Sequence, residues 1–154
     1  MDNLKPYHRQ NTINQYNLLD YDATRTEGKY NIPRLEAVDH VPKKLQGFNY
    51  VLNKPDYSAG VHFFLDDYQF ERMWKRPGFY IEKLAAFDCV LTPDFSLYTD
   101  MPVAMQVWNV YRSRLLGQMI LGTQSFQQCH GRMLIAMIFV LMGYLQKALL
   151  QLVR

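Results

Sequence analysis

Between Val61 and Gly117 the apolar positions switch twice between the spacing of a strand and that of a helix. Val61 to Leu65 is a continuous run of Val, His, Phe, Phe and Leu, the pattern of a strand covered on both faces. Asp66 or Asp67 then stands where a helix N-cap is needed, and Phe70, Met73 and Trp74 recur at i, i+3 and i+4. A residue before proline is pushed out of the α region, so the helix breaks at Arg76; Pro77 opens a second segment carrying Tyr80, Ile81 and Leu84. Phe87 to Thr92 reads as the next strand, ended by Pro93, which cannot donate to a sheet ladder. Thr99 or Asp100 is placed to cap a third helix, with Pro102 near its start. Ala104, Trp108, Tyr111 and Leu115 form its apolar stripe, and Gly117 is its expected stop. The fold class implied is α/β: strand–helix–strand–helix units of a parallel sheet or a partial β/α barrel, incomplete within this chain and followed by an apolar C-terminal helix.

Outside that stretch the pattern changes character. Residues 1–45 mix polar side chains with Pro6, Pro33 and Pro42, which predicts a variable, partly ordered lead-in. Phe48 to Leu52 reads as a short strand closed by Asn53, Pro55 and Asp56. Residues 46–118 form the expected α/β core, and residues 119–154 an atypical tail with an unbroken apolar run from Met133 to Leu145. Spanning a bilayer takes about twenty apolar residues, so a membrane helix is not expected there. An uncovered apolar helix would instead favour self-association.

Composition narrows the function classes. The chain has 154 residues, 49% hydrophobic and 20% charged, a balance suited to one globular domain. Its net charge is +3 with scattered basic residues, so it carries no strong nucleic-acid signal. Cys89 and Cys129 lack any metal-finger spacing, and the N-terminus has no apolar signal core; a cytoplasmic protein is expected. No dinucleotide fingerprint, phosphate loop, zinc-protease helix or nucleophile elbow is present, so cofactor and metal stay unknown.

In parallel α/β proteins ligands bind beyond the carboxyl ends of the strands. That rule selects Asp66, Asp67, Asp94 and Ser96 as candidate catalytic residues, because paired carboxylates can divide acid and base roles or hold a divalent cation. The simpler alternative is that the aspartates cap helices and turns. Asn109 and Arg112 on the third helix are candidate ligand-binding residues, Arg112 through a bidentate grip on an anion or on one of the carboxylates. His62 and the two tryptophans read as packing residues. A rival reading is a non-catalytic binding module with Tyr68, Phe79, Tyr80 and Tyr98 as contacts.

The blocks HFFLDDY-x-FE-x-x-W-x-x-P, LTPDFSLYTDMP and N-x-YR-x-R-x-x-G together resemble the bacterial and phage family named domain of unknown function 4417. The resemblance implies an α/β domain associated with phages and mobile elements, and no established activity. The chain departs from that family after Gln118, where a strand resembling VIPTVSW and a stretch resembling FDGLP are expected. All acidic residues lie at or before Asp100 and all prolines at or before Pro102, while Met119, Met133, Met137 and Met142 crowd the tail. Freely chosen codons for the tail, read in the neighbouring frame, restore both blocks in order. A frameshift, and with it a truncated domain lacking intact activity, is the expectation.

Overall fold

The computed structural model describes residues 6–35, 40–122 and 132–134, with side chains from residue 11 to 122. Its centre is a four-stranded parallel sheet of β3 (Leu45–Gly47), β4 (Gly60–His62), β5 (Cys89–Leu91) and β6 (Arg132–Leu134), ordered as they occur in the chain. Cys89, Val90 and Leu91 are all buried, as a strand covered on both faces must be. Two helices join β4 to β5: α2 (Asp67–Lys75) and α3 (Pro77–Leu84). Arg76 sits between them at φ −142°, ψ 60°, outside the helical region, the break that Pro77 imposes. A longer helix, α4 (Val103–Gly122), leads from β5 toward β6.

Phe48, Val61, Phe63, Phe70, Met73, Ile81, Leu84, Val90, Phe95, Leu115, Leu116 and Ile120 form the centre of the core. Phe63 stacks on Phe48 at 4.9 Å and meets Phe70 edge-on at 5.5 Å, and Phe70 reaches Phe95 at 5.0 Å. This aromatic chain runs from the turn after β3 to the segment after β5, beneath the ends of the strands.

Five local expectations are corrected. Phe48–Tyr50 is a 3-10 turn rather than a strand; the strand is Leu45–Gly47, just ahead of the aromatic run, which turns inward to fill the core. Strand β4 ends at His62, because the Phe64 N–H donates to His62 Nδ1 at 3.2 Å instead of to a neighbouring strand. The third helix starts after Pro102, whose carbonyl accepts from the Met105 and Gln106 N–H groups, so neither Thr99 nor Asp100 caps it. It also runs through Gly117, which is buried and helical, to Gly122. In the tail, Arg132–Leu134 pairs with β5 as a strand; the rest of the stretch expected to be helical lies outside the described residues.

The lead-in is docked on the core. Helix α1 (Pro6–Gln15) ends where the Trp74 indole N–H donates to the Gln15 carbonyl at 3.2 Å and the Asn17 amide donates to the Trp74 carbonyl at 3.0 Å. A small antiparallel hairpin, β1 (Thr26–Glu27) and β2 (Ile32–Pro33), packs on α4. The Gln118 amide donates to the carbonyls of Arg25 and Arg34, both at 2.8 Å, and the deeply buried Arg114 pairs with Glu27. None of the described helices is long and apolar enough to cross a membrane.

Candidate functional site

The carboxyl ends of β4 and β5 lie side by side, so the segments following them converge. Asp66 occupies the N-cap position of α2 but its side chain makes no capping hydrogen bond; only its carbonyl accepts from the Gln69 N–H. Asp67, the first residue of α2, turns across to the segment after β5. Its Oδ1 accepts from the Ser96 hydroxyl at 2.8 Å and from the Ser96 N–H at 3.1 Å, and its Oδ2 lies 3.2 Å from the same N–H. Asp67 is therefore not a cap for its own helix; it clamps the two strand exits together.

From Ser96 the network continues into α4. The Ser96 carbonyl accepts from the Asn109 amide at 2.8 Å, and Asn109 Oδ1 accepts from Arg112 Nη2 at 2.8 Å. Arg112 Nη1 donates to both carboxylate oxygens of Glu71, at 3.0 and 2.9 Å. The guanidinium lies 3.8 Å above the centre of the Phe95 ring, so its charge is held by a carboxylate at the edge and an aromatic face below. Ser113 completes the lattice, donating to the Asn109 carbonyl at 3.0 Å and accepting from the Phe95 N–H at 3.4 Å.

Asp94 stands apart. It follows Pro93 at the exit of β5, half-buried, and its carboxyl makes no hydrogen bond among the described residues. Burial, and secondly the charge of Asp67, push its pKa up to about 6. Two neighbouring carboxylates thus have opposite surroundings: Asp67 accepts from the Ser96 hydroxyl and N–H, whereas Asp94 has no such donor among the described residues and holds its proton to a higher pH than an ordinary aspartate. That division is the pattern by which one carboxyl serves as acid beside another that stays charged.

Of the residues selected from sequence, Asp67, Ser96, Asn109 and Arg112 form one connected network, with Asp94 beside it through charge and Asp66 at its margin. Arg112 does not grip a site aspartate, as one reading of it supposed; Glu71 takes that place. Glu71 and Phe95 were not selected from sequence, because their partner lies far along the chain and no local spacing announces it. Ser113 carried a readable signal, four residues beyond Asn109 on the same helix. His62 is a local cap, and burial pulls its pKa down, which suits the neutral ring that accepts from Phe64.

The aromatic contacts of the rival reading divide. Tyr68, Phe79 and Tyr98 are exposed, whereas Tyr80 is buried against Phe48 at 5.3 Å. A different set makes a surface concavity: Tyr16, Tyr21, Tyr30, Ile32, Trp108 and Tyr111 line an open groove of about 450 Å³ between the lead-in and α4.

The chain is similar to two curated proteins, each called Gene 1 protein. One, from Mycobacterium phage L5, is 47% identical over 92 residues, covering 57% of this chain and 40% of the relative. The other, from Mycobacterium phage D29, is 46% identical over 92 residues, covering 57% of this chain and 34% of the relative. The chain thus spans less than half the length of either phage protein. No solved structure matches it. Residues 24–129, which include both strand exits and the whole of α4, match the family Domain of unknown function (DUF4417), and the chain belongs to that family.

Proposed function

We propose that Asp67 and Asp94 are the acid–base centre of a hydrolase-like activity in domains of this phage-type family. Asp94 would supply the proton and Asp67 the fixed negative charge, with Ser96 and Asn109 holding the latter in place. The observation that carries the reading is the opposite environment of the two carboxylates at adjacent strand exits. A cytoplasmic setting belongs to the same proposal, and the free thiol of Cys89 suits it.

The proposal includes a frame change after Gln118, supported by the loss of all acidic residues and prolines beyond Pro102. On that reading the walls that would complete the site are missing from this chain. The test compares the chain with a version restored to the neighbouring frame, using chromogenic phosphate esters, carboxylic esters and glycosides. The restored chain is expected to cleave one class and to lose that cleavage with Asp94→Asn while staying folded. If no cleavage sensitive to Asp94→Asn appears in the restored chain, the enzyme reading falls.

A second reading, a binding module, is favoured by the aromatic groove. Its lining of tyrosines and Trp108 suits a flat apolar small molecule rather than a charged one. Naphthalene sulfonate dye fluorescence checks it: Trp108→Ala should abolish saturable dye binding, and unchanged binding refutes the groove as its site.

A further inference from the structure

The opposite end of the sheet holds a second cluster, which uses none of the residues of the strand-exit network. His40 approaches from the segment ahead of β3, Asp88 immediately precedes β5, and Cys89 is its first residue. His40 Nε2 lies 2.9 Å from Asp88 Oδ2, and one donor atom from each of His40, Asp88 and Cys89 falls within 4.8 Å of the others. Cys89 is fully buried and its thiol is free.

From the juxtaposition of His40, Asp88 and Cys89 at the amino end of β5, we infer a binding site for a single zinc ion that ties the approach to β3 onto the sheet. The donor set is the first argument. A thiolate, an imidazole and a carboxylate are the three ligand types zinc accepts, and one thiolate with one carboxylate cancels the charge of the ion. Such a neutral cluster can sit at a half-buried position where a bare cation could not.

Geometry is the second argument. Tetrahedral zinc with bonds of about 2.0–2.3 Å needs donor atoms about 3.3–3.6 Å apart, so closing around the ion takes movements of an ångström or so. Asp88 and Cys89 are well held: the Asp88 N–H donates to the Tyr57 carbonyl at 3.0 Å, and Cys89 is paired in register with Gly60 on one side and Arg132 on the other. A ligand on a strand, as Cys89 is, keeps its aim better than one on a loop. Space for the sulfur is made by the absence of a side chain at Gly60, where a Cβ would lie 2.7 Å from Cys89 Sγ and 2.9 Å from Pro42 Cγ. Pro42 thereby seats the segment that carries His40.

The side chains of His40 and Asp88 are 16% and 37% exposed, so the ion enters from their side and reaches Sγ last. Burial and the Asp88 charge push the Cys89 thiol up to about 11, so it is protonated without metal. On binding, the S–H bond breaks, a proton leaves to solvent, and the sulfur lone pair forms the bond to the metal, with no change of oxidation state. A fourth position stays open to water. The amino end of a parallel sheet is where stability rather than catalysis resides, so the ion's role here is to hold the fold.

The test is titration of the purified full chain with cobalt(II), a spectroscopic substitute for zinc. Binding of one ion per chain should give the near-ultraviolet charge-transfer band of a cobalt thiolate and visible bands of tetrahedral intensity. Cys89→Ser should lose the charge-transfer band, Cys129→Ser should keep it, and His40→Ala should weaken binding at least about tenfold, as lost ligand-shell groups do. Zinc should raise the melting temperature of the wild-type chain and leave that of His40→Ala unchanged. His40 lies on a partly exposed approach, so that variant keeps the test valid even if Cys89→Ser fails to fold. Absence of a thiolate band in the wild-type chain, its persistence in Cys89→Ser, its loss in Cys129→Ser, or an equal zinc effect on His40→Ala overturns the inference.

Discussion

Replacing Asp94 with asparagine should make the protein more stable at neutral pH. In the folded chain the Asp94 carboxyl is pushed up to about 6 by burial and by the Asp67 charge, from an ordinary value of 3.8. Below about pH 3 the carboxyl is protonated in both folded and unfolded chains, and its environment costs nothing. As pH rises, the unfolded chain loses this proton first and the folded chain retains it. Stability therefore falls between about pH 4 and pH 6 and is level above that. At about 1.4 kcal/mol per pKa unit the loss has a ceiling of about 3 kcal/mol. Asp94 is only half-buried, and solvent screening reduces the figure to about 1–1.5 kcal/mol. Asparagine has the same shape and no charge, so it escapes the loss. Urea unfolding of wild type and Asp94→Asn from about pH 3 to pH 8 should show equal stabilities at the acid end and an advantage of about 1 kcal/mol for the variant above pH 7. A variant less stable at pH 7, or a difference that ignores pH, refutes the assignment of a strained carboxyl. The expected outcome pairs with the enzyme reading, since a group retained at a cost to stability is what a working site requires.

Three further outcomes follow from the packing. Glu71→Ala removes the carboxylate from Arg112, whose side chain is 11% exposed, and should cost about 2–3 kcal/mol in urea unfolding, less than a fully buried pair because Glu71 is one-third exposed; a loss under 0.5 kcal/mol would show that solvent already carries the charge. Gly60→Ala drives a Cβ to 2.7 Å from Cys89 Sγ, and should lower stability by about 1–3 kcal/mol through overpacking; a neutral result by thermal unfolding would show that the Pro42 segment yields freely. Sequencing the gene across the Gln118 codon should reveal a VIPTVSW block in the neighbouring frame, and its absence removes the frame change from consideration.

The α/β class, the break at Pro77 and the strand-exit position of the polar cluster are legible from spacing, because each depends on residues close together in the chain; the two-sided cover expected of Val61 to Leu65 is not found, since Phe64 is exposed. What local spacing could not give was which polar groups meet across it. The spacing makes the stripe Ala104, Trp108, Tyr111 and Leu115 the expected inner face of α4, yet Ala104 is exposed and only Leu115 of the four is fully buried. The helix is wrapped on several sides: Gln106, Asn109 and Ser113 are buried near the segment after β5, Arg114 and Gln118 meet the hairpin, and Tyr16 covers Trp108 edge-on at 5.4 Å. A buried polar face satisfied by distant backbone carbonyls has no periodic signature. The same holds for His40, which no reading of the sequence joined to Cys89, because the two meet only when the sheet assembles.

The docking of the hairpin on α4 also has a consequence in time. Glu27 waits for Arg114, which is made 87 residues later, and the carbonyls of Arg25 and Arg34 wait for Gln118, made 93 and 84 residues later. At about 5–20 residues per second of synthesis, the ribosome separates those partners by roughly 4–20 seconds. For that interval the nascent hairpin has no α4 against which to close. The hairpin is therefore made well before its support, and any chain arrested before residue 118 leaves the carbonyls of Arg25 and Arg34 without the Gln118 amide.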